Sequence, residues 1–356
     1  MEIDRAFVAK GYVAWLKAPA GKKNAWRVAE EFGSPDELID EIGCEIASRT
    51  LSFEPFKRYR RQEKGSRKER KISIASVKYQ VATYAFKLAI EPMLDAKIGY
   101  YQAAGVKGKG QRLVRSALVR WSHEGGYQVK LDVRKCYDHI TCELVMGILR
   151  KLVGSADVLY LAERLLASYE FGTLEIGTYF SLLMANLVLS YAYHFVESLH
   201  KLRRGRRKQL VAHQVWHLDD ALLVGQDKRD LKMAVRELGR YMRDELGLEI
   251  KPWKVAKVDG VEMLDMGGFR AVEGRVTLRK RLFLSARRSL FRFSRRRTLA
   301  LARRCCSYWG WLKHSDSQQF VKNNGIKRLL KEAGKMMSRQ SKRKEKTCIR
   351  LAAQPL

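Results

Sequence analysis

Between Ile176 and Val196 the chain runs for 21 residues without a formal charge, although 30% of all its residues are Asp, Glu, Lys or Arg. Such a run is long enough to cross a bilayer, or it is the central buried helix of a protein with a large core. Ser181, Asn186, Ser190, His194 and three tyrosines are spread along it, and each polar group would need a partner in lipid. The reading is therefore a buried helix, entered through a turn at Gly177, in a soluble cytoplasmic protein with no membrane partner. A 46% hydrophobic content over 356 residues supports such a core, in two domains or one large enzyme body with appendages. The first residues, Met1-Glu2-Ile3-Asp4, are acidic and lack the basic-then-apolar order of a signal peptide. Six cysteines form no CxxC pair and have no His partner at zinc spacing, so they read as reduced thiols.

The formal charge is +32. Excess of that size repels itself in a compact state and points to a polyanionic partner. It is also unevenly placed: residues 275–350 hold 24 Lys and Arg against 3 Asp and Glu. A solvated face is the ordinary explanation of a charge run. Here Phe283, Phe291, Phe293, Tyr308, Trp309 and Trp311 are interleaved with the cations, which suits folded helices offering one cationic face to phosphates. A second basic block spans Lys57–Lys71. A third, at 201–208, reads as an exposed loop, and the tail after Gly334 as frayed unless RNA is bound.

The centre has mixed α/β patterning. Tyr127–Val133 alternates at period two after the turn Gly125-Gly126, as a half-buried strand does. Helical patterns follow over 141–152 and 156–168. Two β-prone runs, 211–217 and 221–224, flank Leu218-Asp219-Asp220, a hairpin signature. Lys228–Leu246 is periodic at helical spacing and stops at Gly247.

Asp132 thus closes one strand, and Asp219-Asp220 sits at a hairpin tip. Asp suits turns for local hydrogen-bonding reasons, so the pair gains meaning only beside Asp132. Carboxylates from two strand ends are what an enzyme uses to hold two Mg²⁺ ions for in-line phosphoryl transfer, and concentrated negative charge in a cationic protein is costly unless metals neutralise it.

These residues resemble a family. Leu131-Asp-Val-Arg-Lys-Cys-Tyr-Asp-His-Ile140 is similar to the first catalytic motif of reverse transcriptases. His217-Leu-Asp-Asp220 resembles their Tyr-x-Asp-Asp hairpin, and Ile176-Gly-Thr-Tyr-Phe-Ser181 their Gln-Gly-x-x-x-Ser motif with an aliphatic first residue. Leu246–Lys254 resembles the segment that ends in a lysine, Asp265–Phe269 the primer-grip hairpin, and Tyr308–His314 the thumb signature of bacterial retroelement enzymes. Ala103–Gln111 is similar to their fingers segment. The matches run in order over residues 55–320.

The resemblance implies an α+β right-hand polymerase: an N-terminal extension of unassigned role (1–54), fingers (55–125), palm (126–271), thumb (272–334) and basic tail (335–356). It implies an RNA-directed DNA polymerase whose two Mg²⁺ ions are held by Asp132, Asp219, Asp220 and the Val133 carbonyl. Tyr137 would stand where a ribose 2′-OH must go. Arg70 and Lys78 would grip the triphosphate, Ile176 and Gly177 pass beneath the incoming nucleotide, and Lys254 supply a proton to pyrophosphate. Lys107, Lys109, Trp309, Trp311 and Lys313 would contact nucleic acid, while Asp138 and His314 stay outside the chemistry. His217, Ile176, Leu182 and Gln80 depart from the usual residues.

Implied partners are a noncoding or template RNA, the DNA product and dNTPs, with a protein partner or second copy as further candidates. No RNase H, endonuclease or integrase region fits in the remainder, which favours an enzyme working with a dedicated RNA. The chain resembles both defence-associated bacterial reverse transcriptases and those of diversity-generating retroelements. Polymerisation without a template, or from a protein primer, uses the same metals. A non-catalytic RNA-binding scaffold is opposed by the intact carboxylates.

Overall fold

The computed structural model describes residues 2–62, 69–259 and 262–352. In chain order the strands are β1 (Lys57–Gln62), β2 (Glu69–Ile74), β3 (Tyr127–Asp132), β4 (His200–Arg203), β5 (Arg206–Gln209), β6 (His213–His217), β7 (Asp220–Gly225), β8 (Val255–Lys257), β9 (Leu264–Met266), β10 (Phe269–Val272) and β11 (Arg275–Leu278). They form two hairpins, β1–β2 and β4–β5, a sheet ordered β11-β10-β9 and a sheet ordered β6-β7-β3-β8. Helices make up most of the rest, which is the α+β class expected. The chain divides into two compact units, the first built from 1–105, 132–198 and 235–251, the second from 106–131, 199–234 and 252–356.

The first unit is mainly helical, and side-chain caps set where its helices begin. Asp4 accepts the Phe7 N–H at 2.7 Å, Ser34 the Glu37 N–H at 3.2 Å and Ser76 the Tyr79 N–H at 3.3 Å, each relieving an orphan donor of a first turn. The helix Arg5–Lys17 lies against the helix Val77–Lys97, where a Cβ on Gly11 would stand 2.7 Å from the Ala85 nitrogen. Trp15, fully buried, donates its indole N–H to Gln80 at 3.1 Å. Residues 1–54, assigned no role from sequence, therefore supply core to this unit.

The uncharged run is the helix Tyr179–Ser198. Phe180, Met184, Leu187, Leu189 and Val196 are buried along it. Its polar groups find protein partners: Asn186 donates to the Ala104 and Leu182 carbonyls at 2.9 and 3.1 Å, and Ser190 to the Leu187 carbonyl at 2.7 Å. Satisfied polar groups make it a core helix even though its length and apolarity would suit a bilayer.

In the second unit, Val215, Trp216, Leu222 and Leu223 bury the β6–β7 hairpin, fixing its register at His217 opposite Asp220. The helix Gln111–Trp121 ends in a buried Trp121 that stacks on His213, ring centroids 4.8 Å apart. Beyond β11 come the helices Lys280–Arg295, Leu299–Leu312 and Ile326–Ala352. Two expectations are corrected here. The 201–208 block is the β4–β5 hairpin, because Arg204 and Gly205, at φ of 51° and 74°, form the left-handed two-residue turn that matches strand twist. The tail after Gly334 continues a helix to Ala352 instead of fraying, and residues 353–356 lie outside the described residues. Cys44, Cys136, Cys142, Cys305 and Cys306 are free thiols.

Candidate active site at one end of a four-stranded sheet

Gly126, just before β3, packs against the end of β7: a Cβ there would lie 2.7 Å from the Gly225 carbonyl oxygen. Since β3 starts where its neighbour β7 stops, the two strands are antiparallel. The far end of β3, at Asp132, is thus at the same end of the sheet as the turn that opens β7. That turn is Leu218-Asp219, with Leu218 at φ 57°. A bulky residue held in the left-handed region is strained. A second such residue, Lys135 at φ 44°, lies three positions beyond Asp132. Both candidate carboxylate positions are therefore bordered by backbone that the surrounding structure must enforce.

Beyond β3 the chain keeps a partner. The Asp132 carbonyl accepts the Lys251 N–H at 2.9 Å, and Arg134 donates to the Glu249 carbonyl at 2.8 Å, with Val133 bridging to Ile250 between them. This ladder holds the Asp132 side chain in place. The Asp132 side chain is 43% exposed, and its inward-facing Oδ1 is met by Lys251 Nζ in an ion pair at 2.6 Å. A carboxylate that draws a lysine ammonium to it in this way marks a position that favours positive charge. Among the described residues, no three His, Cys, Asp or Glu side chains gather into a metal-binding group. One or two carboxylates completed by substrate phosphates is the way Mg²⁺ is commonly held, and the donors present fit a divalent cation of that kind. Asp219 is half-buried, Asp220 exposed, and the candidate ligand Val133 is buried.

A second set of expected residues gathers in the first unit around β2. Ser73 donates its N–H to the Ile176 carbonyl at 2.8 Å. Gly177 has φ 122°, and a Cβ on it would lie 2.2 Å from the Ser73 carbonyl oxygen, so only glycine fits. The buried hydroxyls of Tyr169, Thr178 and Ser181 then bond one another at 2.8–2.9 Å. Burial pushes the Tyr169 phenol up to about 12, so it stays a neutral donor there. Arg70 lies exposed on β2, and Tyr137 is half-buried in the short helix Cys136–His139.

Lys78 is placed differently from its expected grip on triphosphate. It is 9% exposed and binds Glu41 and Glu45 at 2.6 and 2.7 Å, so its charge is matched inside the protein and joins the N-terminal helices to the helix Val77–Lys97. Gln80, a departure from the family pattern, bonds Trp15 and the Ala75 carbonyl. In the second unit, Lys107 and Lys254 are exposed and Lys109 half-buried. Trp311 donates to the Gly267 carbonyl at 3.1 Å and so ties the helix Leu299–Leu312 to the β9–β10 turn. Trp309 and Lys313 line an open groove of about 470 Å³ with Gln318, Gln319, Lys322 and Lys327. His314 is engaged through its carbonyl, which accepts from Arg115 at 2.7 Å. Sequence reasoning singled out neither Arg58, Glu175 nor Lys251; the available signal was position, since Glu175 directly precedes Ile176.

A family model described as reverse transcriptase (RNA-dependent DNA polymerase) matches residues 62–270. No curated protein compared with the chain matches it. Among solved structures, the chain is similar to an apo telomerase from Candida tropicalis truncated from its C-terminal domain, at 10% identity and a TM-score of 0.44. That similarity covers 68% of this chain and 60% of the telomerase chain, so the chain spans less than two thirds of that relative's length.

Proposed function

Because the chain belongs to the reverse transcriptase (RNA-dependent DNA polymerase) family, whose model covers more than half of its 356 residues, we propose that it copies RNA into DNA. The α+β right-hand polymerase fold and nucleotidyl transfer come with that family, which generally uses divalent metal ions. The observation that carries the reading is Asp132, ion-paired with Lys251 at the end of the sheet that also presents Asp219 and Asp220.

Asp132, Asp219, Asp220 and the Val133 carbonyl would hold two Mg²⁺ ions, which when bound activate the primer hydroxyl and neutralise the departing pyrophosphate. Lys251, paired with Asp132, would yield that carboxylate to a divalent cation. Tyr137 excludes a 2′-OH by occupying its space, and Gly177 leaves room beneath the nucleotide. Lys254 is the proton donor to a pyrophosphate oxygen. The basic helices from Lys280 onward, with Trp309 and Lys313, hold the template–product duplex through phosphate contacts.

The biological setting we favour is antiphage defence in a bacterial cytoplasm with a dedicated noncoding RNA as template. Ile176 favours a second setting, a diversity-generating retroelement, because the aliphatic residue replaces a polar contact near the base pair. The test of the shared chemistry is replacement of Asp219 and Asp220 by Asn. DNA synthesis on a primed RNA template should fall by orders of magnitude while the unfolding temperature and RNA affinity stay near wild type. Undiminished synthesis would overturn the polymerase reading.

A further inference from the structure

The β1–β2 hairpin carries a concentration of positive charge on exposed strand positions: Arg60 and Arg61 on β1 pair in register with Lys71 and Arg70 on β2. At its other end Ser73 is buried. There Arg58 donates from Nε and Nη2 to the two carboxylate oxygens of Glu175 at 3.0 and 2.8 Å. Ser73 donates its hydroxyl to the same carboxylate, and the Glu170 N–H donates at 3.0 Å. Glu175 is 8% exposed, and all of these donors are aimed at one buried group. Burial alone raises its carboxyl pKa, but the bonds from Arg58, Ser73 and the Glu170 N–H outweigh that and hold it below the ordinary carboxylate value.

An apolar contact would attach a loop to a strand at less desolvation cost. A two-pronged guanidinium–carboxylate pair adds fixed distance and orientation. Ser73 extends that constraint along the chain. Its hydroxyl binds Glu175, its N–H binds the Ile176 carbonyl at 2.8 Å, and its carbonyl oxygen fills the space a Gly177 side chain would need. Three consecutive residues are thus set against one strand position. From Ser73 to Arg70 is three residues of strand, about 10 Å, so the exposed cations of the hairpin lie within reach of phosphates attached to a nucleoside at Gly177. The Lys71 ammonium, 5.0 Å from the Phe171 ring centroid, adds a further tie between β2 and the loop before Glu175.

We propose that Arg58 and Glu175 are positioning residues that fix the spacing between the cationic hairpin and the Ile176-Gly177 backbone, and through it the affinity for the incoming nucleoside triphosphate. The pair rests on the polymerase reading, since it presumes a nucleotide lying on Gly177 with its phosphates towards the hairpin. Neither residue touches the nucleotide.

Glu175→Gln keeps volume and an acceptor oxygen but removes the charge; Arg58→Lys keeps the charge but loses the fork. In single-nucleotide extension of a primed RNA template by the full chain, each should raise KM for dTTP roughly tenfold and leave kcat within about twofold, with the unfolding temperature near that of wild type. Unchanged KM, or a parallel loss of kcat and unfolding temperature, would show a structural tie only. Should Glu175→Gln not fold, Arg58→Lys and Ser73→Ala are judged by the same split. If the wild-type chain extends no primer, the polymerase reading fails by itself. Equilibrium binding of a fluorescent dNTP then decides the pair: weaker binding by the variants supports it, and equal binding overturns it.

Discussion

Gly177 shows how little freedom some positions of this chain have. Its φ of 122° and the 2.2 Å that would separate a Cβ from the Ser73 carbonyl oxygen leave no room for any side chain. Gly177→Ala should destabilise the protein by about 2–3 kcal/mol, read as a lower denaturant midpoint, and should reduce dNTP incorporation more than the stability loss explains. A variant as stable and active as wild type would mean that the loop relocates at no cost. The sequence marks this glycine through its place in the Ile-Gly-x-x-x-Ser motif, but the reason for it lies on a strand a hundred residues earlier. Lys78 shows the opposite failure. It sits in a basic neighbourhood that suggests phosphate binding, yet Glu41 and Glu45, one helical turn apart on Pro35–Ala47, take up its charge. Nothing local to Lys78 announces them, since long-range ion pairs leave no periodicity.

Elements whose own pattern is strong are legible from sequence: the strand ending at Asp132, the hairpin around Leu218-Asp219, and the helix Lys228–Leu246 with Gly247 beyond it at φ 64°. The β4–β5 hairpin is missed because its cations read as a loop, although the Arg204-Gly205 pair is itself a turn signal. The helix Leu299–Leu312 carries a tie that its sequence does not announce. Trp311, expected from sequence to contact nucleic acid, also reaches the Gly267 carbonyl with its indole N–H at 3.1 Å. A Cβ on the adjacent Gly268 would stand 3.1 Å from the Trp311 indole nitrogen. The junction between this helix and the β9–β10 turn is therefore closely packed. Trp311→Phe keeps most of the packing and removes the donor, which should cost about 1 kcal/mol of stability. Calorimetry on the two proteins would check this, and an unchanged unfolding temperature would mean that water replaces the bond without loss.

For the whole molecule, the charge concentrated beyond residue 275 is carried on helices that include Lys280–Arg295 and Ile326–Ala352. If about 6–10 phosphates are neutralised, RNA affinity should fall roughly 10³–10⁵-fold between 50 and 200 mM salt. Removing the residues after Gly334 should flatten that slope, as filter binding or anisotropy across a salt series would read; a salt-independent constant would place this charge in solvent. The division into units has a different consequence, one of timing. The first unit takes its residues from three stretches that end at Gly105, Ser198 and Lys251. A growing chain cannot complete it when the amino-terminal helices emerge from the ribosome. At roughly 5–20 residues per second, those helices wait on the order of ten seconds for the segment that brings Lys251 to Asp132. Throughout that interval the nascent protein carries core residues that its later segments have yet to cover, so its synthesis offers a window to chaperones that the finished chain does not.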